Sequence, residues 1–325
     1  MKKRSFHPSV LALLAAALFG ASTPLSKLLL GQVQPIALTA FLYLGSGFGL
    51  LLLRIATRSL PGLRERPERA ERAIGRKDIP WLVGMVAAGG VAAPILLMFC
   101  LRGTSAAVAS MLLNFEGVAT TVIAAFVFQE AVGRRVWMAI AGITLACGLL
   151  SWNPGGSWTL SLGAVGVLLT CVLWGFDNNF SNRLSSRDPV AVVTIKSLAA
   201  GSVSLVLALL AGESLPTGLA FLYALLLGVL SYGTSIVLLV RSMRDLGAAR
   251  ASGIFCVAPF VGTFLSLLVF RESPGLLFYL SVPVMLLGVR LIAGDGHAHL
   301  HAHGSLVHSH PHVHAGGEHG HAHPH

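Results

Sequence analysis

The chain has few charged residues: Asp, Glu, Lys and Arg make up only 11% of its 325 positions. A soluble domain carries about 25%, so most of this surface is not adapted to water. Hydrophobic residues make up 54%, and the mean hydropathy is +0.76. The composition indicates an all-α integral membrane protein, because helices satisfy their own backbone hydrogen bonds inside lipid.

Cysteine is scarce and offers no recognisable site. Cys100, Cys147, Cys171 and Cys256 all fall within apolar runs, and no Cys-x-x-Cys spacing occurs. A disulfide framework and a thiolate zinc site are therefore not indicated, and small buried hydrophobic residues are the expected role. No set of nucleophile and base and no phosphate-binding loop is apparent. We therefore predict neither an enzyme activity nor a required cofactor.

The excess of positive charge, +10 at pH 7, lies in loops rather than along one surface. Eight of the 23 Lys and Arg residues fall between Arg54 and Lys77, where they are mixed with acidic residues. No basic stripe alternates with aromatic residues, which argues against nucleic acid as a partner. Loops that flank a lipid bilayer explain the charge better.

Ten apolar segments approach the length of about 20 residues that a membrane span needs. They are 9–30, 35–54, 80–101, 104–128, 133–151, 161–183, 190–211, 218–240, 247–270 and 275–292. The N-terminus and the loops on its side hold 17 Lys and Arg residues, whereas the other loops hold only Arg102 and Arg271. The positive-inside rule then makes both termini cytoplasmic. The predicted location is a bacterial-type inner membrane.

The sequence contains an internal duplication. The segment Ser105–Glu130 recurs at a constant offset as Gly247–Glu272, and Leu18–Ser26 recurs as Leu173–Ser181. With five segments in each half, the second half enters the membrane from the opposite side. The fold prediction is therefore ten transmembrane helices arranged as two inverted five-helix repeats, a plan common among transporters.

These motifs divide the chain into four predicted parts. A cytoplasmic N-terminus covers 1–8, the first repeat covers 9–152, the second covers 160–292, and a tail covers 293–325.

The paired motifs resemble those of the drug/metabolite transporter superfamily, specifically its EamA-type ten-helix transporters. The resemblance covers about 9–292, and its most specific parts are two copies of Ala-Ala-x-Ala-Ser followed by an apolar run ending in Glu, at 106–130 and 248–272. One departure is that the second copy has Pro259 where the first has Gly117.

The resemblance implies a secondary active transporter that moves a small organic metabolite, with export as the expected direction. Transport would occur by alternating access between the two repeats. The expected partners are the lipid bilayer, a small-molecule substrate, and protons or another coupling ion. A monomer or a homodimer is expected.

Ionisable residues inside the segments need an explanation, because each costs about 3 kcal/mol on insertion scales. Glu116 lies near the middle of the fourth segment, two residues after Asn114. We expect it to bind a proton or a cationic group in a central cavity, with a protonated or hydrogen-bonded structural glutamate between packed helices as the alternative. Lys27, at the end of the first segment, is expected to extend to the lipid headgroups.

Asp177, Asn178 and Lys196 form a second predicted polar cluster. Asp177 and Lys196 are almost equidistant from the turn near Arg187, so they are level in an antiparallel hairpin. An ion pair between them is predicted, either as a structural link or as part of a gate. Two aromatic residues are further candidates for the cavity wall, with simple packing as the alternative: Trp174 and Tyr232.

The tail is rich in histidine, whereas the predicted spans contain none. Three blocks of four alternating histidines recur at a regular interval. We predict that the tail is disordered without metal, because it has no apolar core. We also predict that it binds Zn, Ni, Co or Cu, which imidazole suits. The predicted ligands are His297, His299, His301, His303, His308, His310, His312, His314, His319, His321, His323 and His325.

Two other functions stay open at this point. One is a divalent transition-metal transporter for Ni, Co or Zn, or a metal-regulated exporter, in which the tail loads or senses ions. The other is a membrane metal sensor that transports nothing. The predicted cavity offers carboxylates only at Glu116 and Asp177. This scarcity of ligands favours an organic substrate.

Overall fold

The computed structural model describes residues 7–59, 74–130, 132–152, 161–293, 298–303 and 306–311. Outside the tail, most of these residues are helical. The helices are α1 Pro8–Gly20, α2 Ser22–Leu29, α3 Pro35–Ser59, α4 Ile79–Met85, α5 Ala93–Gly103, α6 Ala106–Leu112, α7 Phe115–Phe126, α8 Arg134–Ser151, α9 Leu162–Arg183, α10 Pro189–Leu210, α11 Gly218–Leu227, α12 Ser235–Leu246, α13 Ala248–Phe255, α14 Ala258–Phe270 and α15 Leu276–Ala293. A 3-10 turn at Arg76–Asp78 precedes α4.

Several of these helices join end to end into membrane-spanning units. Within the described ranges, nine units are long and apolar enough to cross a membrane. They are Pro8–Leu29, Pro35–Ala56, Arg76–Gly103, Ala106–Phe126, Arg134–Ser151, Leu162–Arg183, Pro189–Leu210, Gly218–Leu246 and Arg250–Phe270. The helix Leu276–Leu291, at the tenth predicted segment, is apolar but shorter. The main body is thus an all-helical, multi-pass membrane protein, as predicted.

Prolines coincide with most of the interruptions within these units. Pro24, Pro94 and Pro259 each lie within the first three residues of a helix, in α2, α5 and α14 respectively. Because proline has no N–H, the helical hydrogen-bond ladder is incomplete at these points. Pro283 lies inside α15 without dividing it. The unit of α6 and α7 breaks at Leu113–Asn114 without any proline.

Two π-helical segments lie inside spans, separated by the same offset as the duplicated motif Ser105–Glu130. The first π segment, Val86–Ala92, joins α4 to α5, and the second, Gly228–Thr234, joins α11 to α12. The first packs against α9 and α10, and the second packs against α1 and α3. π-Helical segments are rare in proteins, and those that occur are often found at functional sites. Hydrophobic periodicity does not reveal them, and the sequence did not predict them.

Helix backbones approach closely at equivalent positions of the two halves. A Cβ atom at Gly20 of α1 would meet the backbone of Ala258 and lie 3.1 Å from the nitrogen of Gly262, both in α14. A Cβ atom at Gly175 of α9, the equivalent glycine of the second half, would lie 3.0 Å from the nitrogen of Thr120 in α7. Glycine therefore permits α1 to pack on α14 and α9 to pack on α7.

The apolar residues divide into an interior cluster and an outer layer. The interior cluster draws on helices of both halves, and Leu38, Met111 and Met285 are fully buried in it. Large apolar side chains are also exposed, as Leu52, Leu145 and Leu287 show. Such exposure is expected where the surrounding solvent is hydrocarbon.

The described part of the tail is an antiparallel hairpin of β1 Ala298–His303 and β2 Leu306–Pro311. Its backbone register pairs His299 with His310 and His301 with His308. Disorder of the tail without metal stays a prediction; the alternating sequence is compatible with the two-residue period of paired strands. Seven of the predicted ligands lie outside the described residues: His297, His312, His314, His319, His321, His323 and His325.

The close contact of the second π segment with α3 predicts a strong response to one added methyl group. A Cβ atom at Gly228 would lie 2.8 Å from the carbonyl carbon of Leu42, so Gly228→Ala should lower the free energy of unfolding by about 1–3 kcal/mol. Thermal unfolding of the detergent-purified protein measures this loss. The control is Gly148→Ala in α8, where a Cβ meets nothing within 4 Å. Equal unfolding temperatures for the two variants would contradict the contact.

Candidate functional site

An ion pair lies inside the helical body. Lys196 Nζ of α10 donates to Asp177 Oδ2 of α9, and the two side chains are only 15% and 8% exposed. The predicted pair is confirmed. The turn between the helices is fixed where Asp188 caps α10, its Oδ1 accepting from the amide of Ala191 at 3.1 Å.

The first π segment lies between α9 and α10, where Gly89 makes room for Asp177 of α9 and Gly90 makes room for Ala200 of α10. A Cβ atom at Gly89 would overlap the Asp177 carboxylate, and one at Gly90 would lie 2.6 Å from Ala200 Cβ. The missing side chains therefore allow Asp177 to reach Lys196 across this segment. Asp177 Oδ1 is buried and has no hydrogen-bond partner among the described residues.

The same segment presents a backbone carbonyl to side chains. In a π-helical ladder, the Gly89 carbonyl would accept from the residue five positions on, which is Pro94 and has no N–H. The carbonyl instead accepts from Tyr43 Oη at 2.9 Å and from Trp174 Nε1 at 3.2 Å. Trp174, predicted as a candidate, is thus held one turn from Asp177. Tyr43 was not predicted, because its partner exists only through the π segment.

Glu116 lies at the start of α7 and is linked to the ion pair through α9. Its Oε1 accepts from Asn178 Nδ2 at 2.8 Å, and that nitrogen also lies 3.1 Å from Thr120 Oγ1. Asn178 directly follows Asp177 in the chain. The structure therefore brings together four of the predicted residues. This polar cluster consists of Glu116, Asn178, Asp177 and Lys196.

The neighbouring asparagines make different contacts. Asn114 is buried, and its Nδ2 donates to the carbonyl of Met111 at 2.9 Å, at the break between α6 and α7. Asn179 Nδ2 donates to the carbonyl oxygens of Thr120 and Gly175 at 3.0 and 2.8 Å. Asn114 therefore completes a helix end, and Asn179 ties α9 to α7.

Tyr232 belongs to an aromatic group beside the polar cluster. Its ring centroid lies 5.5 Å from that of Tyr43 and 5.9 Å from that of Phe19. Phe19 in turn lies 5.4 Å from Phe255. These rings come from α1, α3, α13 and the second π segment, and Tyr43 connects them to the Gly89 carbonyl. Tyr232 therefore packs against Tyr43, and Tyr43 lies between Tyr232 and the polar cluster.

A further carboxylate connects the halves at one end of the bundle. Glu272, which follows α14, accepts from Ser105 Oγ at 2.6 Å and from the first two backbone amides of α6 at 2.9 Å each. Lys27 Nζ lies 3.9 Å from Glu272 and donates to the carbonyl of Thr104. These two acceptors hold the ammonium group of Lys27 within the protein, contacts that the sequence did not predict, whereas its extension to the headgroups stays a prediction.

Comparisons with known proteins agree with this architecture. Residues 8–152 and 161–294 each match the EamA-like transporter family. A curated relative from Methanothermobacter thermautotrophicus (strain Delta H), described as an uncharacterized transporter, is 28% identical over 291 residues, covering 87% of this chain and 84% of that protein. One solved crystal structure is similar with a TM-score of 0.59, at 19% identity, over 87% of this chain and 95% of the other.

The last of these similarities concerns the fold alone, whereas the family match concerns the class of protein. Together with the apolar helices, the family match defines a multi-pass membrane transport protein. The chain belongs to the EamA-like transporter family, as its paired motifs predicted.

The buried ion pair predicts non-additive effects on stability. Lys196→Met leaves Asp177 buried without its partner and should lower the free energy of unfolding by about 3–5 kcal/mol. The double variant Asp177→Asn/Lys196→Met removes both charges and should recover much of this loss. Thermal unfolding of the purified protein in detergent measures both variants.

The matched control for this experiment is the more exposed pair of Arg54 and Asp188, whose atoms lie 3.0 Å apart. These side chains are 31% and 26% exposed, so Arg54→Met should cost about 1 kcal/mol or less. If the losses of unfolding free energy in Asp177→Asn and in Lys196→Met simply add up in the double variant, the two residues do not interact.

Proposed function

We propose that the protein is a secondary active transporter that exports a small organic metabolite. The observation that carries this proposal is the polar cluster, whose side chains come from spans in both family-matched segments. Charges inside a bilayer are costly, and intramembrane ionisable groups commonly mark substrate or ion pathways. The family match supports transport, and the cluster is where a substrate or coupling ion would bind.

The proposed architecture is ten spans in two inverted five-helix repeats, at 9–152 and 160–292. Three observations support it: the two separate family matches, the equivalent approaches at Gly20 and Gly175, and the two π segments with equivalent neighbours. The distribution of Lys and Arg supports cytoplasmic termini in a bacterial-type inner membrane. Alternating access then follows from movement of one repeat against the other.

Glu116 is the proposed site for a proton or a cationic substrate group. Its carboxylate is half-buried and joined to α9 by Asn178, beside the ion pair. A positive charge that arrives at Glu116 changes the electrostatic field at Lys196, because charges in a low-dielectric interior interact strongly. Lys196 in turn offers a counter-charge for an anionic group. Binding and the arrangement of α7, α9 and α10 are thereby coupled.

The second candidate function involves divalent metal. The hairpin register pairs histidines in the described part of the tail, which favours a tail that binds Zn, Ni, Co or Cu and regulates the transporter. Among the described residues, no group of three or more His, Cys, Asp or Glu side chains could hold a metal ion. The spans therefore offer less support for metal as the cargo, or for a sensor that transports nothing, than for an organic substrate.

The role of Glu116 predicts a selective loss of coupled transport. A thermal-shift screen of amino acids, nucleosides and organic acids first identifies a compound that stabilises the purified protein. In proteoliposomes, Glu116→Gln should abolish uptake of that compound driven by a pH gradient, because the amide cannot carry the proton. The unfolding temperature should remain close to that of the unaltered protein, since Gln still accepts from Asn178.

The control variant is Asp245→Asn, an exposed carboxylate of α12, which should leave uptake unchanged. Unchanged uptake by Glu116→Gln would remove Glu116 from the mechanism.

The tail predicts a separate result. Deletion of residues 297–325 should leave uptake of the organic compound intact, because the proposed binding site lies in the spans. The measurement is uptake by the full chain and by the truncated chain in proteoliposomes, with and without zinc. If the deletion instead abolishes nickel, cobalt or zinc flux and changes nothing else, the metal transporter is the correct function.

A further inference from the structure

Glu272 forms a latch between the two halves at one end of the bundle. Its carboxylate accepts three hydrogen bonds from the segment Ser105–Ala107, which begins α6, and lies beside Lys27. Charge-assisted hydrogen bonds of this kind are about twice as strong as neutral ones. While they persist, the start of α6 and the end of α14 cannot separate.

The chain contains the same parts a second time. In the duplicated motif, Glu130 is the counterpart of Glu272, and Gly247–Ala249 is the counterpart of Ser105–Ala107. Each glutamate is preceded by a residue in the left-handed region, Gln129 with φ 57° and Arg271 with φ 50°. No other described residue except glycine has a positive φ. The backbone turn that directs Glu272 is therefore duplicated before Glu130.

A cation stands beside each glutamate segment, although the duplication aligns Lys27 with Asn182 and Arg183 is one residue further on. Lys27 Nζ lies 5.6 Å from the ring centroid of Phe270, two residues before Glu272. Arg183 Cζ lies 4.9 Å from the ring centroid of Phe128, two residues before Glu130. These distances are those of cation–π contacts. Arg183 thus stands beside the Glu130 segment much as Lys27 stands beside the Glu272 segment.

The two ends nevertheless differ in this conformation. At the Glu272 end, α6 packs closely against α14. The equivalent helices at the other end, α7 and α13, make no comparable contact among the described residues, and α13 packs on α1 and α12 instead. Glu130 is exposed. A shallow surface groove, lined by Leu13, Arg250 and Ile254, lies where α13 packs on α1.

We propose that Glu130 and Glu272 are alternating latches of the transport cycle, an inference that rests on the proposed alternating access. In the conformation described, Glu272 holds its end closed and Glu130 is released. In the opposite conformation, Glu130 accepts hydrogen bonds from the backbone amides of Ala248 and Ala249 with Arg183 beside it. Glu272 is then released from α6. Each residue positions the helices without contacting the transported compound.

The two latches are not equal. Ser105 donates a hydroxyl hydrogen bond to Glu272, whereas Gly247, at the equivalent position, has no side chain. The Glu272 latch therefore has one more donor than the Glu130 latch. In the absence of substrate, the conformation closed at the Glu272 end should be the more populated one.

Distances between spin labels on the full chain in lipid nanodiscs test this inference without a substrate. The four native cysteines are replaced, and one label pair is placed at each end. The R102C/S273C pair reports the Glu272 end, and the R134C/D245C pair reports the Glu130 end. These four positions are exposed. Double electron–electron resonance then gives the populations of short and long distances at each end.

Glu272→Gln should lengthen the distance at its own end and shorten the distance at the Glu130 end. The ratio of the two conformations should change at least about tenfold, which corresponds to loss of one charge-assisted hydrogen bond. Ser105→Ala should act in the same direction by a smaller factor. Glu130→Gln added to Glu272→Gln should return the ratio towards that of the unaltered chain.

The matched control is Glu213→Gln. Glu213 also caps a helix, accepting from the amides of Ile36 and Ala37 at 3.3 and 2.8 Å. It belongs to neither of the two proposed latches. It should leave the population ratio unchanged. The inference is overturned if Glu272→Gln affects only its own end, if the added Glu130→Gln does not reverse the change, or if the control shifts the ratio equally. Reciprocal distance changes together with unchanged uptake by Glu116→Gln would support the latches and count against the proposed role of Glu116.

Discussion

The ion pair of Asp177 and Lys196 constrains the interior of this transporter, because two buried charges must meet across another span. The intervening backbone has no Cβ at Gly89 or Gly90, so the carboxylate fits against it. The same stretch is π-helical and is followed by Pro94, which leaves the Gly89 carbonyl to Tyr43 and Trp174. Charge, missing side chains and an unusual helix are thus parts of one arrangement.

This arrangement extends towards Glu116 through consecutive residues of α9. Asp177 faces Lys196, Asn178 reaches Glu116, and Asn179 binds the backbone of Thr120. Three neighbouring side chains therefore contact two different spans, which is possible because successive helical residues point about 100° apart. A change of charge at Glu116 therefore acts on α9 within one turn of the ion pair. The polar cluster is consequently one unit rather than two separate sites.

The sequence predicts contacts that depend on register and misses those that depend on local irregularity. Asp177 and Lys196 could be paired because their distances from a turn are read directly from the chain. Tyr43 could not be placed, since its acceptor is a carbonyl made available by a π segment. Lys27 resembles any lysine at the end of a span, and only the fold places Thr104 and Glu272 beside it. The spans themselves follow from composition, which is why they agree closely with the sequence.

The Gly89 carbonyl has a mechanical consequence for the span that contains it. Elsewhere in a helix, bending stretches backbone hydrogen bonds on one side and meets immediate resistance. Here the carbonyl is held by two side chains from α3 and α9, whose rotatable bonds adjust to a change in angle. The span formed by α4 and α5 therefore has a compliant joint at the level of the buried charges. Its two ends can tilt independently while the carbonyl remains hydrogen-bonded.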